Sequence, residues 1–193
     1  MKTIYERLDK ILPLIMDKRF RENKGLGNEI GFYIFDYDPK DELIVREHIA
    51  FLKQKVNNDS TEITIREFDL YEMILTILFD KGYLGKVFAM EKEKGTSAIL
   101  TPLKKTLRLT QKNDLIVEHI RQNTKQNDIV FLTGVGKSWP VIRSHSILNT
   151  LHAVIEDVPL IMFYPGTYSG QDLHLFDEIS DQNYYRAFKL IER

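Results

Sequence analysis

Alternating strand and helix signals, with strands that are apolar throughout, predict a doubly wound α/β domain built on a mostly parallel sheet of about four core strands. Residues 32–35, 129–132 and 160–163 read Phe-Tyr-Ile-Phe, Ile-Val-Phe-Leu and Leu-Ile-Met-Phe. Strands with no polar face need cover on both sides, as in a parallel sheet sandwiched by crossover helices. The 193 residues suit one domain spanning 1–193, without internal repeat or interdomain linker. A chain of this length buries roughly 70% of its unfolded surface, so its core needs no metal or disulfide.

Thr3 and Glu6 are spaced as a capping box ahead of Ile4, Leu8, Ile11 and Ile15, which predicts an opening amphipathic helix ended by the glycines of 23–28. Residues 30–37 read as the first strand, closed by Asp38-Pro39, and Val45, Ile49, Leu52 and Val56 keep helical spacing. Residues 63–70 predict a second strand and 71–80 a helix. Residues 83–127 read as helical, broken at Gly95-Thr96 and Thr101-Pro102, with 81–127 forming a basic helical insertion before the third strand. A third strand at 129–133, a helix over 138–153 and a fourth strand at 160–164 follow. The tail reads as a hairpin of 173–176 and 184–190.

There are no cysteines, which excludes disulfides, zinc–thiolate sites and thiol nucleophiles and suits a reducing cytoplasm. No apolar run is long enough for a membrane span, and the opening residues lack the apolar core of a signal peptide. Net charge is −1, compatible with a homodimer and selecting no partner. Residues 81–137 nevertheless carry 11 Lys and Arg against 5 Asp and Glu. With only Tyr83, Phe88 and Phe131 as aromatics, that stretch predicts DNA contact that is weak or indirect.

Ligands and partners of open parallel sheets meet the carboxyl ends of the strands. Three unusual clusters fall at such ends: Asp36-Tyr37-Asp38-Pro39, Gly134-Val135-Gly136-Lys137-Ser138-Trp139-Pro140, and Tyr164-Pro165-Gly166. Gly136-Lys137-Ser138 resembles the tail of a phosphate-binding loop, but Phe131 stands where the loop's first glycine is required. A tight turn into a helix, with Pro140 in its first turn, is the favoured reading. A cryptic nucleotide- or metal-dependent phosphohydrolase using Lys137, Ser138 and Asp36 is the alternative. Asp36 and Asp38 suit magnesium less well than turn and capping roles. Arg143 and His145 fall on different faces of one helix and make no catalytic pair, and His119 and His152 read as packing or surface histidines. The loop 164–170 carries Tyr164, Gly166 and Tyr168, and the stretch with Tyr184, Tyr185 and Arg186 places residue types common in binding hot spots on an edge strand.

Taken together, Phe35-Asp36-Tyr37-Asp38-Pro39, Thr133-Gly134-Val135-Gly136 leading to Trp139-Pro140-Val141-Ile142-Arg143-Ser144-His145, Phe163-Tyr164-Pro165-Gly166-Thr167-Tyr168-Ser169-Gly170-Gln171 and Asn183-Tyr184-Tyr185-Arg186-Ala187-Phe188 resemble the BrxB family of the BREX bacteriophage-exclusion systems. The resemblance runs from the first strand to the last residues. It implies a small cytoplasmic subunit of an antiviral defence system, an adaptor paired with an alkaline-phosphatase-like PglZ-type protein, with no catalytic residues and no cofactor to carry over. The motif residues then stand as candidates for a contact surface or for the fold itself.

Overall fold

A computed structural model describes residues 2–21, 31–60, 62–155, 158–181 and 187–193. The glycine break at 23–28, Ile30, and the candidates Tyr184, Tyr185 and Arg186 lie outside the described residues. The capping box forms: Thr3 Oγ1 accepts from Glu6 N, and the Glu6 carboxylate accepts from Thr3 N at 2.7 Å. The single opening helix is nevertheless two, α1 (Ile4–Leu8) and α2 (Ile11–Met16). Pro13 explains the break, because its ring collides with the carbonyl of Asp9 four residues back and it offers that carbonyl no donor. Leu8, Ile11 and Ile15 stay buried as one stripe. A short α3 (Lys18–Arg21) follows.

The remaining order is β1 (Phe32–Tyr37), a 3-10 turn (Pro39–Asp41), α4 (Glu42–Asp59), β2 (Thr64–Asp69), α5 (Leu70–Asp80), α6 (Leu84–Lys94), α7 (Thr96–Thr106), α8 (Leu115–Asn123), β3 (Asp128–Thr133), α9 (Val135–Ser138), α10 (Ser144–His152), β4 (Leu160–Tyr168), β5 (Leu173–Leu175), β6 (Ile179–Asp181) and β7 (Phe188–Lys189). The sheet runs β2-β3-β4-β1-β7, and each of these neighbours pairs in parallel. Alternate residues supply two cores. Phe32, Ile34, Val130, Leu132, Leu160 and Met162 face α5, α7, α8 and α10. Tyr33, Phe35, Ile129, Phe131, Ile161 and Phe163 face α1, α2 and α4. Both faces are covered, as the continuously apolar strands require.

Four boundaries differ from the sequence reading. The helix of Thr96–Thr106 runs through Pro102 rather than breaking there. Burial of Ile99 and Leu103, roughly 1.5–3 kcal/mol each, offsets the roughly 3 kcal/mol cost of an interior proline. The helix expected over 138–153 begins only at Ser144, because Trp139 precedes proline and takes the extended conformation (φ −69°, ψ 140°). Pro140 therefore lies in a turn, not in a helix. The expected loop 164–170 is largely strand. β4 leaves β3 after Met162 and takes β5 as its neighbour from Gly166 onward. Finally, the tail hairpin pairs β5 with β6, while Phe188–Lys189 crosses to the far edge beside β1.

At the opposite edge, the Asn57 side chain occupies both backbone groups of Ile65. Its Nδ2 donates to the Ile65 carbonyl at 3.1 Å and its Oδ1 accepts from Ile65 N at 2.7 Å.

Candidate functional site

The chain leaves β1 across one face, through α4, and leaves β3 across the other, through α10. The crossing direction thus reverses between β1 and β3, which flank β4, and the crevice at the carboxyl ends there is where such sheets hold ligands. Here the chain's own side chains fill it. Asp36, 2% exposed, accepts from Arg7 Nη2 at 2.9 Å through Oδ1, and from Arg193 Nε at 3.0 Å and Tyr168 N at 3.1 Å through Oδ2. Arg7, itself buried, also donates to the carbonyls of Asp36 (2.7 Å) and Ile191 (3.0 Å) and lies over the Phe35 ring. Arg193 donates to the Gly166 carbonyl. Burial lowers the Arg7 pKa against the opposing pull of Asp36, and Arg7 Nε remains a buried donor without a partner. Asp36 thereby ties α1, β1, β4 and the tail together. This corrects its assignment as a turn, capping or metal residue. Asp38 does cap: its carboxylate accepts from Lys40 N at 3.1 Å and pairs with Lys40 Nζ at 2.6 Å.

The turn after β3 resembles a phosphate loop still less in space. Gly134 takes φ +70°, and a Cβ there would stand 2.2 Å from Asp69 Oδ1. Asp69 caps α5 by accepting from Tyr71 N and Glu72 N. Lys137 Nζ lies 2.6 Å from Asp69 Oδ2 and 3.6 Å from Glu72 Oε1, and 5.6 Å from the Tyr71 ring centroid. Its charge is engaged by carboxylates. Ser138 Oγ donates to the Val135 carbonyl. Gly136 is bare because Phe176 and Pro165 press on it, with Phe176 ring carbons 2.9 Å and Pro165 Cγ 3.2 Å from where its Cβ would stand.

Around this turn the rim shows three partly exposed aromatics: Tyr71 (38%), Trp139 (41%) and Phe176 (37%). Phe176 and Asp177 hold the turn between β5 and β6 at φ +56° and +61°, values that few non-glycine residues adopt.

Other candidates prove to be interior. Tyr164 and Tyr168 are each 1% exposed, and the Tyr168 hydroxyl donates to the carbonyls of Ala187 (2.7 Å) and Gly170 (3.1 Å). Tyr37 is buried and donates to Glu42; burial and that carboxylate push its phenol far above the ordinary range. None of these three can meet a partner as placed. Gly166, at φ +148°, has no room for a side chain because the His174 carbonyl would lie 2.0 Å from its Cβ. Arg143 is exposed and immediately precedes α10, where His145 Nε2 lies 3.0 Å from Ser146 Oγ. His152 stacks on Phe32 at 4.0 Å and His119 meets Phe68 edge-on, both packing roles. Among the described residues no three His, Asp or Glu side chains are grouped to hold a metal. No helix among them is long and apolar enough to cross a membrane.

Sequence reasoning missed Arg7, Arg193, Asp69, Tyr71 and Phe176. The left-handed turn at Phe176 lacks a sequence signal, since Phe-Asp is not a turn dipeptide of that type. Arg7 was legible as a charge at the edge of an apolar stripe.

The model of the family described as BREX protein BrxB matches residues 66–190. A BREX protein BrxB of Bacillus cereus (strain H3081.97) is 61% identical over 193 residues, covering all of both chains. Another, of Escherichia coli O9:H4 (strain HS), is 37% identical over 185 residues, covering 96% of this chain and 90% of that protein. No solved structure matches the chain. With two full-length relatives and a family match that takes in the rim segments after β3 and along β4, the chain belongs to the BrxB family of BREX system proteins.

Proposed function

We propose that the chain is a non-catalytic adaptor of a BREX anti-phage system, docking on the PglZ-type, alkaline-phosphatase-like subunit through its carboxyl rim. The observation that carries this reading is the crevice between β1 and β4. The position where this sheet class holds a nucleotide or substrate contains Arg7, Asp36 and Arg193 locked on one another. What the rim offers instead is aromatic surface at Tyr71, Trp139 and Phe176, and in the sequence Tyr184, Tyr185 and Arg186 follow Phe176 by eight to ten residues. Aromatic and arginine side chains dominate binding hot spots, since they bury large area at modest entropy cost.

Co-purification with the PglZ-type subunit tests the reading. Trp139→Ala, Tyr185→Ala and Arg186→Ala should each weaken binding about thirtyfold, the equivalent of roughly 2 kcal/mol. A melting curve of each variant alone separates a lost contact from a lost fold. Undiminished capture of all three variants would refute docking through this surface. The phosphohydrolase alternative has its own measurement: a magnesium–ATP complex bound at a specific site would raise the melting temperature by mass action.

A further inference from the structure

The docking reading leaves unused the cleft beside Arg143. Its walls are the turn after α7, the stretch after Trp139, and the first turn of α10. It holds about 320 Å³ and is lined by apolar Leu109, Val141, Ile142 and Ile147. Small-molecule sites have this size and combine apolar walls with polar groups that orient the ligand. The polar groups here are Lys104, Thr110, Asp114, Arg143 and Ser146.

The charges are unequal in availability. Asp114 is 5% exposed and fully used: Oδ1 accepts from Ile116 N and Val117 N, and Oδ2 accepts from Thr110 N. Neither Lys104 nor Arg143 forms an ion pair with any described residue. Among the described residues these two cations thus border the cleft without an ion pair, while the cleft's carboxylate is turned into helix capping.

The wall is preformed. Arg108 and Thr110 stand at φ +55° and +64°, a conformation costly for side-chain-bearing residues. They are held there by Leu109 N to the Lys104 carbonyl, Leu115 N to the Leu107 carbonyl, and the Asp114 bond to Thr110. Strain of this kind persists where the surrounding structure fixes it, and it gathers at ligand clamps. The wall opposite is Val141-Ile142-Arg143, from the same stretch that the motif Trp139–His145 marks in the sequence.

We propose that this cleft binds a small organic anion with an apolar body, its acid group held by Arg143 and Lys104 and its body against Leu109, Ile142 and Ile147. Nothing in this assignment depends on the partner subunit.

Fluorescence titration of the full chain with 1-anilinonaphthalene-8-sulfonate supplies an anion on an apolar body, and N-phenyl-1-naphthylamine is its uncharged counterpart. The expected result is one saturable sulfonate site per chain, with the neutral probe bound at least about tenfold more weakly. Lys104→Ala and Arg143→Ala should each weaken the sulfonate about tenfold, and Arg143→Lys should retain most of the affinity. Added salt should weaken the sulfonate alone. Melting curves in the absence of probe establish that each variant is folded. If a variant is not, the wild-type salt dependence and the ratio between the two probes decide. Equal affinity for both probes, undiminished binding by the folded charge variants, or no saturable site would overturn the proposal.

Discussion

Arg7, at the end of the first helix, and Asp36, at the end of the first strand, form a buried ion pair at 2.9 Å with side chains 5% and 3% exposed. Burying two charges is costly, and a pair of this kind is retained only with good geometry and further hydrogen bonds. Asp36 has both, since Tyr168 N and Arg193 Nε complete its shell. One carboxylate faces two guanidinium groups, so losing the carboxylate is the most damaging change.

Asp36→Ala is therefore expected to destabilise the fold by about 3–5 kcal/mol, because it strands Arg7 as an unpaired buried charge. Arg193→Ala should cost far less, about 1 kcal/mol, since its side chain is 38% exposed and water screens the loss. Urea denaturation of the two variants checks the order, and equal losses would show that Asp36 is not the hub.

Gly134→Ala and Gly166→Ala should both destabilise, the second more. At Gly134 the obstacle is the Asp69 carboxylate, a side chain that can swing aside at the expense of its capping bonds, about 2–3 kcal/mol in all with the left-handed backbone. At Gly166 the obstacle is the backbone carbonyl of His174, fixed by the pairing of β4 with β5. Thermal melts of the two variants give the comparison.

Stability should fall on mild acidification. Burial lowers the His48 pKa, more than Asp9 and the Leu8 carbonyl raise it, and its Nε2 is a buried atom without a partner. The unfolded chain then binds a proton before the folded one does, so stability is full above pH about 6.5 and declines as the pH drops toward the folded-state value. His48→Gln should flatten that part of the profile, read as the difference in melting temperature between the two proteins from pH 8 to pH 5. Parallel profiles would assign the slope to other groups.

Lys137→Ala should leave phage resistance largely intact, and the loss of its partly exposed pair with Asp69 should cost at most about 1 kcal/mol. Plating efficiency of phage on cells carrying the variant decides. A loss as complete as deletion, with the protein still folded, would instead favour the phosphohydrolase reading.

DNA binding, if measured by gel shift, should be non-specific and fall at least about tenfold between roughly 50 and 200 mM salt. The lysines of α6 and α7 are free to contact phosphate, but Phe88 and Tyr83 stand alone as exposed aromatics there. Sequence-selective binding at physiological salt would contradict this.

The layering of the domain was legible because three of its strands, at 32–35, 129–132 and 160–163, are apolar on both faces, which leaves no architecture with an open side. The clustering of the rim motifs was legible because strand ends follow from strand positions. What the sequence concealed was direction. Tyr164 and Tyr168 look like loop aromatics beside Pro165 and Gly166, yet β4 continues through them, because β5 replaces β3 as its partner. Asp36 looks like a turn or capping carboxylate because its two cations come from 29 residues upstream and 157 downstream. Local pattern carries no information on such distant pairs.

The amide of Asn57 has a bearing on how copies of this chain can assemble. An uncapped outer strand is a template on which a neighbouring chain can lay its own backbone and so propagate a ribbon from molecule to molecule. By taking both hydrogen-bonding groups of Ile65, Asn57 acts as a stopper at the start of β2. Two domains brought edge to edge there would meet an interrupted ladder. Association across that flank is then left to side-chain surfaces, whose specificity is set residue by residue.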